Sequence, residues 1–83
     1  MNKFEYDLQA ELFPARNRKH GRRAVSYRRF AVAADAIRFA IEELPSELLF
    51  GAVLEVDGER YDSEEIRRLY DSFDFPLLRR VAA

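Results

Sequence analysis

The chain has no cysteine and no tryptophan, one histidine, one methionine and three glycines among 83 residues. Without cysteine there is no disulfide framework and no thiolate metal site. One histidine, His20, excludes His-pair metal sites and leaves a single imidazole for base chemistry. The three glycines stand apart at positions 21, 51 and 58, so no glycine-rich phosphate loop can form. A Gly-x-Ser-x-Gly elbow is also missing. No apolar run approaches the roughly 20 residues that cross a bilayer. The opening MNKFEYDLQAELF lacks the continuous apolar core of a signal peptide. Met1 leads directly into a patterned segment, as a natural start would. A soluble, cytoplasmic protein is therefore expected.

What is present is enough for one small domain spanning residues 1–83. Apolar residues make up 48%, an ordinary globular share that argues against global disorder. Seven Phe and four Tyr supply much of the burial a short chain needs.

Charge is the most unequal property along the chain. Net charge is −1, but seven of the fourteen basic residues fall within positions 16–29. They are Arg16, Arg18, Lys19, Arg22, Arg23, Arg28 and Arg29, and no acid lies between Glu11 and Asp35. Residues 35–83 carry twelve acids against six arginines. The protein is neutral by cancellation and polarised by position. A local positive field attracts polyanions whatever the net charge.

Periodicity places this stretch on a hairpin. Residues 4–12 alternate, with Phe4, Tyr6, Leu8, Ala10 and Leu12 on one side and acids or Gln9 on the other, the period of a half-buried strand. Residues 14–23 read as a basic loop. Residues 24–30 return as a second strand, with Val25 and Tyr27 on one face and Phe30 on the other. Ala33, Ala36, Ile37, Ala40, Ile41 and Leu44 then form one helical stripe, which Pro45 stops. Asp35, Arg38 and Glu42 lie opposite that stripe, at pairing distance from one another.

Residues 51–56 form a strand, Asp57-Gly58 a two-residue turn, and residues 59–61 the returning strand. Asp62 or Ser63 caps a second helix, with Glu65 placed to close a capping box. Its stripe is Ile66, Leu69, Tyr70 and Phe73. Residues 74–83 read as a tail, either a short turn starting at Pro76 or an apolar strap. The fold expected is α+β in the order β-β-α-β-β-α. An antiparallel or mixed sheet would carry both helices on one face, with Phe4, Tyr6 and Leu8 buried beneath them. The other face would be solvated or covered by a partner.

Catalytic constellations are sparse. His20 sits among cations that disfavour its charged form, but a polar loop position accounts for it. Glu42, Glu43 and Glu47 end the first helix. Asp57, Glu59 and Asp62 flank the tight turn; they lack calcium-loop spacing, and turn and cap roles explain two of them. Phe39 and Tyr70 could line a pocket, but at helical spacing beside Ile and Leu they read as core. No metal or cofactor is expected, and no catalytic residue.

The basic stretch has three interpretations. It is a charged, solvated loop that keeps a hairpin edge from aggregating. Or it contacts a protein, either an acidic partner or the acidic half of a second copy. Or Arg16, Arg18, Lys19, Arg22, Arg23, Arg28 and Arg29 meet nucleic-acid phosphates while Tyr27 stacks on an unpaired base. No zinc-finger spacing or RNP-type aromatic motif supports the last, and the acidic remainder would repel a polyanion laid broadly across the molecule. The expectation is a non-enzymatic interaction module, with nucleic-acid binding as its alternative and an enzyme or ligand-binding protein last.

The runs FAVAADAIRFA at 30–40, LEVDGERY at 54–61 and IRRLY at 66–70 together resemble a family of short alphaproteobacterial proteins of unknown function. The resemblance covers most of the chain and implies a small bacterial cytoplasmic domain. It implies no activity, cofactor or site residue.

Overall fold

The computed structural model describes residues 3–15 and 27–78. Strands β1 (Ala10–Phe13) and β2 (Arg28–Phe30) are followed by helices α1 (Ala33–Glu42) and α2 (Ser46–Leu49). Strands β3 (Val53–Val56) and β4 (Glu59–Tyr61) and helix α3 (Ser63–Asp71) complete the order. The sheet order is β2-β1-β3-β4, and every neighbouring pair is antiparallel. The fold is the α+β arrangement expected, with the sheet resolved as antiparallel.

The two central strands build the core. Ala10 pairs with Val56 and Leu12 with Leu54, so four apolar side chains share one face. All four are buried. α1 lays Ala33, Ala36, Ile37 and Ala40 onto this face, and α3 adds Ile66 and Tyr70 beside it. The alanines of α1 allow its backbone to approach the sheet closely. Leu12, Ile37, Leu48, Leu54 and Ile66 are the largest fully buried side chains. Burial of each contributes roughly 1.5–3 kcal/mol. An exposed ion pair such as Arg68–Glu64 adds at most about 1 kcal/mol. The apolar face therefore sets the stability.

Several expected boundaries move, each for a physical reason. The strand expected over 4–12 begins only at Ala10. Residues 4–9 are diverted because their carbonyls serve α1: the N–H of Ala33 donates to Leu8 O at 2.6 Å and that of Ala34 to Tyr6 O at 2.9 Å. Val32 at the helix entry offers no side-chain cap, so these carbonyls satisfy donors that would otherwise be orphaned. The side chains keep the alternation: Phe4, Tyr6 and Leu8 remain half-buried against the core.

The strand expected over 24–30 is seen as Arg28–Phe30; positions 24–26 lie outside the described residues. Leu48 explains α2, a short helix that periodicity did not reveal: Pro45 ends one helix and opens the next, and Leu48 seals the core. β3 starts at Val53 rather than at residue 51. The stripe expected to include Phe73 is corrected, because α3 ends at Asp71 and Phe73 is fully solvent-exposed at 101%. Phe75 takes the interior place instead, and the described part of the tail is a strap rather than a helical turn.

The capping box is present. Glu65 N–H donates to Asp62 Oδ1 and Asp62 N–H donates to Glu65 Oε1, both at 2.9 Å. Asp57 and Gly58 both have positive φ, 52° and 82°, as the two-residue hairpin turn requires. Among the described residues no helix is long and apolar enough to cross a membrane.

Gly51 is needed for close approach. Ala15 N–H donates to Leu48 O at 2.9 Å, which draws the end of β1 against the α2–β3 connection. A Cβ on Gly51 would lie 2.9 Å from the Ala15 Cβ. Gly51→Ala is expected to lower unfolding free energy by about 1–3 kcal/mol, the usual range for overpacking. Urea unfolding followed by circular dichroism measures it; an unchanged midpoint refutes the close-approach account.

Candidate functional site

The β1–β2 hairpin carries the candidate residues that the structure describes. Its register pairs Leu12 with Arg28 and Glu11 with Arg29. Continuing by one residue puts Tyr27 beside Phe13, and the rings stack at 5.2 Å with planes 28° apart. Because side chains alternate, Tyr27 and Arg29 face away from the helices while Arg28 faces toward them. Arg28 places its guanidinium 4.5 Å from the centroid of the Phe39 ring and 5.3 Å from that of Phe30. An exposed cation–π contact of this kind contributes about 0.5–1 kcal/mol.

Glu11 is the hub of the outer group. The Tyr27 hydroxyl donates to its Oε2 at 2.9 Å, and Arg29 Nη2 lies 3.4 Å from the same oxygen. Tyr27 through its hydrogen bond, and Glu11 through its charge, push the Arg29 guanidinium still higher than its ordinary range. Like any guanidinium, Arg29 is a permanent cation.

Glu11 also lies opposite Glu55, which lies opposite Arg60. Four side chains consequently form one row across the outer face: Arg29, Glu11, Glu55, Arg60. Like charges directly opposite on a sheet repel. The flanking arginines offset this, Arg29 at 3.4 Å from Glu11 and Arg60 at 3.9 Å from Glu55. Beside this row, Tyr27, Phe13 and Val53 make a partly exposed apolar lane on the same outer face. Toward the other end, Leu8, Gln9, Glu11, Arg29, Glu55 and Asp57 line a shallow open depression of mixed charge.

The predicted site is thus only partly drawn together. Arg16, Arg18, Lys19, Arg22 and Arg23 lie outside the described residues, as does His20. Tyr27 and Arg29 meet at Glu11, and Arg28 turns to the opposite face. Glu11 and Phe13 were missed as members of this group. The alternation that placed Glu11 on the polar side was the available signal, but its cross-strand partners depend on register.

Three acids of these sets have structural duties. Glu42 Oε2 accepts from the buried Tyr70 hydroxyl at 2.5 Å, Asp57 makes the turn, and Asp62 caps α3. Among the described residues no three His, Cys, Asp or Glu groups are arranged to hold a metal ion. Phe39 and Tyr70 belong to the packing: Phe39 lies against Phe30 and Arg28, and Tyr70 is buried.

Tyr61 is also perturbed. Burial pushes its phenol above the ordinary value of 10.0, and the negative charges of Glu59, Glu65 and Asp57 push it the same way. The folded state therefore holds this proton more tightly than the unfolded chain. The associated stability is fully present below pH 10 and is lost as pH rises through the folded-state value. Subtracting the alkaline ultraviolet titration of Tyr61→Phe from that of the native chain is expected to leave a phenol that ionises above pH 10. The variant is also expected to lose less stability on the alkaline limb. A difference titration centred at or below the ordinary value contradicts the assignment.

Comparison with protein-family models, with curated proteins and with solved structures finds no match to this chain.

Proposed function

We propose that this chain is a non-enzymatic interaction module that contacts an acidic protein surface through its basic hairpin, residues 16–29. A second copy, whose C-terminal half is acidic, is one partner of that chemistry. Charge segregation carries the proposal: seven cations with no acid among them, on a chain whose remainder is net negative. A cluster of one sign accelerates encounter with an oppositely charged partner and fixes its orientation. Arg16, Arg18, Lys19, Arg22, Arg23, Arg28 and Arg29 supply the charge, and Tyr27 adds an exposed aromatic edge at the hairpin base.

Two features favour a protein partner over a nucleic acid. The Tyr27 ring is stacked on Phe13 and its hydroxyl is held by Glu11, so it is not free to take a base between two faces. Glu11, Glu55 and Asp57 border the same sheet face and repel phosphates. The poverty of catalytic groups supports a binding role. The single histidine lies within the cationic stretch, and the acids of the tight turn and the α3 cap are occupied structurally.

Affinity capture from the native cell tests this, run with and without nuclease and in parallel on the variant Arg18→Glu, Lys19→Glu, Arg22→Glu, Arg23→Glu. The expected partner survives nuclease, is lost with the variant, and weakens in high salt as the screening length falls from about 10 Å at 0.1 M to about 3 Å at 1 M. Loss on nuclease treatment, with affinity falling about 0.9 log units per log of salt for each phosphate met on a duplex, assigns the hairpin to nucleic acid instead. Identical capture by the native chain and the variant refutes both.

A further inference from the structure

Two features at opposite ends of α3 have no role in the hairpin and fit each other. After α3 the chain turns through Ser72, Phe73 and Asp74. Asp74 N–H donates to Ser72 Oγ at 3.1 Å and Phe75 N–H donates to Ser72 O at 3.1 Å. Phe75 is buried against Tyr70 and Tyr6. This turn is therefore pinned from behind, and it presents Phe73 to solvent with its whole ring exposed. Asp71 and Asp74, both exposed, flank it. The result is an aromatic knob bordered by Asp71 and by Asp74, which Lys3 Nζ approaches at 3.9 Å. Phe73 is exposed in the folded chain, so all of its apolar area is available for burial against a partner.

At the start of α3 lies the converse surface. Leu49 and Phe50 at the end of α2, with Ser63, Glu64, Arg67 and Arg68 of α3, line a shallow groove with a largely apolar floor. Phe50 is 85% exposed. Ser63 Oγ donates to Phe50 O at 3.1 Å, which ties the two helix ends together and holds the groove open. Arg68 pairs with Glu64 at 3.7 Å. Arg67 has no hydrogen-bond or ion-pair partner among the described residues, so the groove rim carries uncompensated positive charge.

We propose that the Phe73 knob of one copy docks in the α2–α3 groove of a second copy, forming a two-fold dimer with antiparallel α3 helices. Ring meets apolar floor, and Asp71 meets the free Arg67. A chain cannot fill its own groove, because the nine residues of α3, about 14 Å of helix, separate knob from groove. Two antiparallel α3 helices bring both knobs to both grooves, so the contact closes on itself and leaves no sticky end. This dimer uses none of the basic stretch and stands independently of the hairpin's function.

Sedimentation velocity and light scattering of the full chain over a concentration series test it. The native chain is expected to shift from monomer to dimer and no further. Phe73→Glu and Arg67→Glu are each expected to raise the half-dimer concentration about thirtyfold or more, the effect of losing an interface anchor. Both sites are exposed, so circular dichroism and thermal unfolding are expected to match the native chain; Phe73→Ser replaces Phe73→Glu if they do not. Reversing both charges, with Arg67→Glu and Asp71→Arg together, is expected to recover association. A monomer at every concentration overturns the proposal, as does growth beyond the dimer. So does a dimer that survives both single variants; if the four-residue hairpin variant then breaks it, the contact belongs to the basic stretch.

Discussion

Two hydrogen bonds organise the molecule: those from the first N–H groups of α1 to the carbonyls of Leu8 and Tyr6. A helix that begins Val32-Ala33-Ala34 has no side chain able to accept from its own orphan donors, and α1 begins against the core, where water is scarce. The segment before β1 meets that need. In doing so it is pulled out of the sheet and over the helices. Tyr6 thereby reaches α3, where its hydroxyl donates to Leu69 O at 2.8 Å. One capping arrangement thus links the lead into β1 and both long helices.

The same displacement assembles an aromatic chain. Tyr61 contacts Phe4, Phe4 contacts Tyr6, Tyr6 contacts Phe75 and Phe75 contacts Tyr70, with centroids 4.9–5.8 Å apart. Three of these four contacts are edge-on, the geometry that the ring quadrupole favours. The chain joins the N-terminal segment, β4, the tail and α3, which share no backbone ladder with one another. A small sheet with three-residue edge strands has little ladder to offer. Ring packing supplies the lateral cohesion instead, and Tyr70 extends it to α1 through Glu42.

Most of the fold was legible wherever local chemistry and tertiary need agree. The Asp57-Gly58 turn, the Asp62/Glu65 box and the α1 stripe announce themselves because each is decided within a few residues. Residues 4–9 misled because alternation reports which side chains are buried, not where the backbone hydrogen bonds go. Phe4, Tyr6 and Leu8 do turn inward, but the carbonyls of Tyr6 and Leu8 answer to a helix more than twenty residues away. Phe73 misled for the complementary reason. Its spacing continues the α3 stripe, but the helix stops at Asp71, and Phe75 lies where the buried side of the turn returns. At the hairpin, exposure of Tyr27, Arg28 and Arg29 was readable. Their division between two faces follows from strand alternation, but the gathering of Tyr27 and Arg29 on Glu11 depends on cross-strand register.

The outer charge row bears on how copies of this chain can meet. Across the sheet it reads positive, negative, negative, positive, and that order is its own mirror image. Lay a second sheet over the first about a two-fold axis parallel to the strands, and Arg29 falls over Arg60 while Glu11 falls over Glu55. Turn the axis perpendicular to the strands, and each side chain falls over its own copy. In register, like meets like in both cases, with a cost that rises as water is squeezed out. The lane of Tyr27, Phe13 and Val53 would otherwise invite a second sheet to cover it. The row beside it opposes that pairing without removing the aromatic surface. In-register stacking of two such sheet faces is thereby opposed, while a surface of a different charge pattern would meet no such repulsion.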